Sequence, residues 1–304
     1  MSRHEDRVKQ IASIVRTALA ATLAGMALAS LASGASAEIT LRVQDRDVAR
    51  MVSLGGSCTR CELSGRNLSG ATLTGANFIN ATLVGANLRG AELIGANFSA
   101  SDFSRADMSG VEMVGANFTN AVFTRANLTG AEASGASLVQ AIFEDANLSS
   151  AELNGANFNR ANLTRTNLSN SEMFGVTLAN VQAERADFSN AEINASNLSN
   201  GVFDRANFSN ASLDSARLTG GSFDRANFSN ASLNRADIRG ADLSGARGLT
   251  QDQISEACSD GSTRLPSGMR PNSCSMRLRV RPPTPPAPPA PPRPRNFVIA
   301  SSER

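Results

Sequence analysis

The chain has 304 residues, a mean hydropathy of −0.17 and a formal charge of +2, with no Trp, no Tyr, one His and four Cys. The one His (His4) and the one Lys (Lys9) stand in the first nine residues, so beyond them acid-base chemistry falls to Asp, Glu and Cys, which argues against an enzyme. Near-balanced charge gives neither the basic footprint of a nucleic-acid binder nor strong acidity, and no cofactor or metal is expected.

Residues 1–37 read as a secretory signal: a basic start (Arg3, Arg7, Lys9, Arg16), an apolar Ala-rich run, and small residues ending in Ala35-Ser36-Ala37. Cleavage is expected after Ala37, which places the mature protein in the periplasm or outside the cell. The apolar run falls below the roughly 20 residues of a membrane span, so no transmembrane segment remains after cleavage. The leader carries four basic and two acidic residues, and its removal takes the formal charge from +2 to 0. Residues 38–60 form an N-terminal cap in which Ile39, Leu41 and Val43 alternate with polar residues, a short strand suited to pair with the first coil of the repeats that begin at residue 61.

From residue 61 to 247 a five-residue unit, A-[ND]-[LF]-[ST]-[GNR] on average, repeats without insertion or deletion. Large apolar residues return at every fifth position from Leu63 to Leu243, broken only by Ala133 and Ala183, and small residues sit two positions earlier. Five fits neither a helix at 3.6 nor an uninterrupted strand at 2, so each unit is a short extended piece ending in a turn. Its small and large residues share the inner face, and Gly, Asn or Arg makes the corner. A second period of 20 overlies the first. Glu92, Glu112, Glu132, Glu152, Glu172 and Glu192 form one row; Arg105, Arg125, Arg165, Arg185, Arg205 and Arg225 form another, with Asp145 in its missing slot. Phenylalanines fall into three such rows. Four units therefore make one turn of an all-β solenoid, a quadrilateral parallel β-helix of about nine coils and roughly 45 Å in length.

This motif resembles the pentapeptide repeat family over about 185 of the 304 residues. The resemblance implies right-handed coiling, which periodicity alone does not show.

Between Phe174 and Ala183 the pattern loosens: Phe174 stands in an outward position, Val176 and Val181 in small slots, and Ala183 in a large one. A perturbed coil and a bend are expected there.

Residues 248–276 form a C-terminal cap. Thr250 and Gln253 make a capping-box pattern for a short helix. The cysteines lie in or beside the caps, and in an exported protein Cys58 with Cys61 and Cys258 with Cys274 are the expected disulfides by proximity. For Cys58 and Cys61 a redox pair, a metal site or a buried thiol pair are the alternatives. Residues 277–304 are a Pro/Arg-rich tail, extended at about 3.1 Å per residue in its Pro-Pro runs and otherwise expected to be disordered.

The Arg row is a candidate guanidinium strip for phosphates or carboxylates. Against this, Glu184, Asp204 and Asp224 directly precede Arg185, Arg205 and Arg225 and offer local neutralisation. The Glu row is a candidate for a hard cation such as Ca²⁺, although a solvated acidic face is the favoured explanation; the Asn rows are candidates for sugars, but equally satisfy outward polar positions on a sheet. The leading function is an exported, non-enzymatic structural or interaction scaffold, a rigid rod with a basic arm, whose partner is a protein or an envelope polymer. The resemblance adds an alternative, since some family members imitate duplex DNA and act on topoisomerases; the leader and the Arg row oppose it. A hydrolase with paired carboxylates is weaker still, because the repeat itself spaces those residues closely.

Overall fold

The computed structural model describes residues 57–273, all within the second of two compact units, Met1–Val43 and Gln44–Arg304. The signal segment, the alternating residues 39–43, Cys274 and the tail lie outside the described residues. Each repeat places a single bridging residue at its second position and a turn over its last two. Every bridge is parallel and joins residues 20 apart, from Ser57↔Asn77 to Asn227↔Arg247. The repeats thus stack as a four-sided coil. We number its faces by their bridging residues: the first carries Ser57 to Asp237, the second Glu62 to Asp242, the third Asn67 to Arg247, the fourth Thr72 to Ser232.

Backbone hydrogen bonding accounts for the composition of the repeat. In the second-face unit at Cys61–Gly65, Leu63 N–H donates to Thr82 C=O at 2.7 Å and Gly65 N–H to Val84 C=O at 2.9 Å, both one coil up. Thr82 N–H returns to Cys61 C=O at 2.7 Å, and Arg66 N–H closes the turn on Leu63 C=O at 3.1 Å. Only the N–H of the fourth position is left over. The side chain of the second position takes it: Ser69 N–H donates to Asn67 Oδ1 at 3.2 Å, Ser104 N–H to Asp102 Oδ1 at 2.8 Å, and the pattern recurs along the coil. A short Asn or Asp readily accepts the N–H two residues ahead, so its prevalence reflects the need to pair backbone donors. The corner residue closes the turn with positive φ, 66° at Gly75 and 57° at Asn80, the requirement of a type II turn.

Small and large slots point inward together. Twelve phenylalanines are fully buried and stack along the coil axis. On the first face Phe78 and Phe98 lie 4.8 Å apart with their rings nearly parallel; on the second Phe123 and Phe143 are 4.6 Å apart; on the third Phe188 and Phe208 are 4.9 Å apart. Adjacent faces meet edge to face, as Phe98 does with Phe103, so the rows interlock.

No bend interrupts the register at Phe174–Ala183, contrary to expectation. The bridges Glu172↔Glu192, Thr177↔Asn197 and Gln182↔Val202 keep the 20-residue step. The disturbance is confined to the turns: the closing bond stretches to 3.4 Å at Val176, and at Val181 none forms. Val176, Val181 and Ala183 are all buried. One coil above Val181 the small slot holds Gly201, where an added Cβ would stand 2.5 Å from the Phe203 ring. Core volume is redistributed, and the stacking absorbs it.

At the far end the helix α1, Gln251–Glu256, occupies the place of the fourth face in a further coil, with Arg235 N–H donating to Glu256 C=O at 2.9 Å. Thr250 caps it, and Gln253 completes the capping box. Gln253 Nε2 also donates to Phe228 C=O at 3.0 Å and Ala231 C=O at 2.7 Å, two carbonyls of the coil beneath. Ile254 is buried over the core. The chain then resumes pairing at Asp237↔Cys258 and Asp242↔Arg264. Among the described residues no helix is long and apolar enough to cross a membrane. At the other end a disulfide joins Cys58 to Cys61 across one corner, with their Cα atoms 5.6 Å apart. Cys258 is also disulfide-bonded; Cys274, its expected partner, lies outside the described residues.

Candidate functional site

With the core shared by every repeat, what differs along the coil is on its surface. Glu92, Glu112, Glu132, Glu152, Glu172 and Glu192 stand directly above one another on the fourth face. None of the six carboxylates accepts a hydrogen bond or ion pair among the described residues. Glutamate does not replace the short Asn here; in the unit of Glu172 the leftover N–H goes one coil down instead, Phe174 N–H to Asn154 Oδ1 at 2.9 Å. Phe174 projects beside this row and is 62% exposed, while Ile94 and Val114 occupy the same position in lower coils. Among the described residues, no group of three or more His, Cys, Asp or Glu is arranged to hold a metal ion.

The third face carries an interrupted ladder of Asn and Asp side chains. Asn127 donates to Asp107 at 3.1 Å, Asn167 to Asn147 at 3.1 Å, Asn207 to Asp187 at 3.0 Å, and Asn227 to Asn207 at 3.0 Å. Most of its hydrogen-bonding capacity is spent within the coil, which leaves little of it to recognise a sugar.

Arginines of the other row all sit on the corner between the second and third faces, each with positive φ, from 58° to 62°. That corner is natural for Gly or Asn and has no backbone reason to hold Arg. The row divides in two. In its lower part Asp145 gathers the charge: Arg165 Nε donates to Asp145 Oδ1 at 2.6 Å, its Nη2 bonds Glu144, and Arg125 Nε lies 3.7 Å from Asp145 Oδ2. Accordingly the Asp145 carboxyl is held below its ordinary pKa, chiefly by the Arg165 hydrogen bond, and the Arg165 guanidinium is pushed up, chiefly by Asp145 and then Glu144. In the upper part the adjacent acids do not neutralise as expected. Glu184 accepts the Thr164 hydroxyl at 3.2 Å. Asp204 accepts the Ser222 hydroxyl at 2.6 Å and Asp224 N–H at 3.0 Å. Only Asp224 approaches its neighbour, 3.7 Å from Arg225, with both side chains more than half exposed.

One member of this surface does not follow the 20-residue Arg spacing. Arg247 ends the Asn row of the third face, bridged to Asn227, and lies beside the corner of Arg205 and Arg225. Counting 20 from Asn227 finds it; following the Arg row does not.

A family model for pentapeptide repeats matches in eight copies between residues 57 and 247, well over half of the chain. No curated protein matches it in sequence. Among solved structures, HetL, a pentapeptide repeat protein involved in heterocyst differentiation regulation from the cyanobacterium Nostoc, is 31% identical over 74% of this chain and 98% of its own, with a TM-score of 0.49. A trypsin-treated form of QnrB1, a plasmid-mediated fluoroquinolone resistance protein, is 16% identical over 69% and 90%, with a TM-score of 0.38. A pentapeptide repeat protein of the Arabidopsis thaliana thylakoid lumen is 31% identical over 32% and 64%, with a TM-score of 0.24.

Proposed function

The chain belongs to the pentapeptide repeat family, and from that premise we propose that it is an exported, non-enzymatic scaffold, a right-handed coil of about nine turns that displays side-chain rows to a partner in the cell envelope. The observation that carries this reading is the unbroken 20-residue register, which sets like side chains at a fixed pitch of about 4.8 Å on a surface that does not deform from coil to coil. Export is supported by the leader ending at Ala37 and by disulfides at Cys58–Cys61 and at Cys258, which persist in oxidising compartments. The basic Pro-rich segment 277–304 supplies a second contact of opposite character, since residues 62–247 hold 18 acidic and 13 basic side chains.

Cell fractionation with N-terminal sequencing tests the first part: a mature chain beginning at Glu38 outside the cytoplasm is expected, and a full-length cytoplasmic chain overturns export. Crosslinking in intact cells, with the whole protein and with a form lacking residues 277–304, tests the second. Crosslinks to an envelope component that persist without the tail assign recognition to the coil; their absence in both forms overturns the scaffold.

A further inference from the structure

We infer that the upper end of the second-third corner is a binding site for a phosphate-type oxyanion, held by Arg205, Arg225 and Arg247. These three arginines line an open cavity of about 570 Å³ together with Ala206, Asn207 and Asn227, and no carboxylate lines it. The contrast with the hollow directly below it is chemical. That one, of about 430 Å³, is lined by Arg165, Arg185 and Arg205 but also by Glu184, Asp204 and Asp224, so it offers an anion equal numbers of both charges and no positive excess.

Three features make the upper cavity a site and not merely a charged corner. Its cations are uncompensated: among the described residues Arg205 and Arg247 make no ion pair, and the Arg225–Asp224 contact at 3.7 Å is exposed and weak. The carboxylate nearest Arg205 in sequence, Asp204, is turned to other work by Ser222 and the Asp224 N–H. Second, the charges converge from two different rows. Arg205 and Arg225 come from the corner, whereas Arg247 comes from the bridging position of the third face, where every lower coil has Asn or Asp. Third, polar donors complete the wall. Asn207 and Asn227 each spend one amide N–H on the residue below, on Asp187 and Asn207, and keep a second.

The number of donors selects the ligand. A planar carboxylate is satisfied by one bidentate guanidinium, while three guanidinium groups match a dianionic tetrahedral group with three terminal oxygens. A phosphate ester on a small molecule and one on a lipid headgroup present the same chemistry. The site is independent of export, because what the corner binds does not depend on where the protein resides.

The test uses the full chain and the variant Arg205→Gln/Arg225→Gln/Arg247→Asn. Gln is already accommodated at such a corner at Gln140, with φ 59°, and Asn at position 247 continues the row of Asn207 and Asn227, so the fold is retained. A variant of equal charge, Arg160→Gln/Arg217→Gln/Arg235→Gln, controls for general attraction. Calorimetric titration with inorganic phosphate, and with acetate at matched ionic strength, is expected to show phosphate binding that weakens by at least about tenfold in the site variant and not in the control. Binding to vesicles containing phosphatidic acid, lost in the site variant, in the absence of binding to free phosphate, supports the site with a lipid headgroup as its source. Equal weakening in both variants, or binding to neither probe, overturns it.

Discussion

At the corner of each repeat the backbone asks for a residue that tolerates positive φ, yet Ala100 and Ala195 stand there at 57° and 55°. An L-residue in the left-handed region costs about 1–2 kcal/mol, part of which Gly recovers against its greater freedom when unfolded. Ala195→Gly is therefore expected to raise stability by about 0.5–1 kcal/mol in chemical denaturation. Gly201 presents the opposite case. Its backbone is unexceptional, and its demand is room: Gly201→Ala drives a methyl against the Phe203 ring and Val181, with an expected loss of about 1–3 kcal/mol. The same measurement checks both, and the signs should differ. Residue type alone does not tell these two effects apart, since the first is decided by φ and the second by a ring 2.5 Å away.

Among elements, the terminal helix is where sequence and structure agree most closely in outline and differ most in detail. Thr250 and Gln253 announce its start, and the capping box forms. What no local pattern discloses is that Gln253 reaches down to two carbonyls of the preceding coil and that Ile254 seals the core. Ile254→Ala should cost about 2–5 kcal/mol, seen as a lowered unfolding midpoint, because the void opens at the exposed end of the stack. Beyond the helix, Asp260 ties the adjoining loop to the last regular coil. Its carboxylate accepts the Ser262 hydroxyl at 2.6 Å, with the Ser262 N–H, the Thr263 hydroxyl and the Gly240 N–H adding, and its pKa falls from the ordinary 3.8 to about 2. A lowered folded-state pKa means that this contribution is complete above 3.8 and disappears as pH falls towards about 2. Thermal unfolding measured from about pH 5 to pH 2 should be steeper for the native chain than for Asp260→Asn. The 20-residue row already sets Asp145 between Arg125 and Arg165, but that they pair while the neighbouring acids of the upper arginines are taken by hydroxyls and backbone N–H groups shows only in the structure.

Across residues 61–247 the coil is a structure in which position along the chain converts directly into height and direction. Five residues advance the chain by one side, and 20 return it to the same side one storey higher. Each side supplies the same small and large slots, although the Phe rows differ from side to side. Removing 20 residues, such as 146–165, should shorten the coil by one storey and leave every surviving row vertical. Removing five, such as 146–150, leaves each slot filled but turns everything above the cut by a quarter revolution, so that the upper arginines no longer face the same way as Arg105 and Arg125. Both deletions are expected to fold, with thermal midpoints close to each other, while only the second should change crosslinks that depend on rows from both halves. In such a chain, loss or gain of a single unit works as a rotary adjustment: it re-aims half of the surface and asks the interior to repack only where the two halves meet.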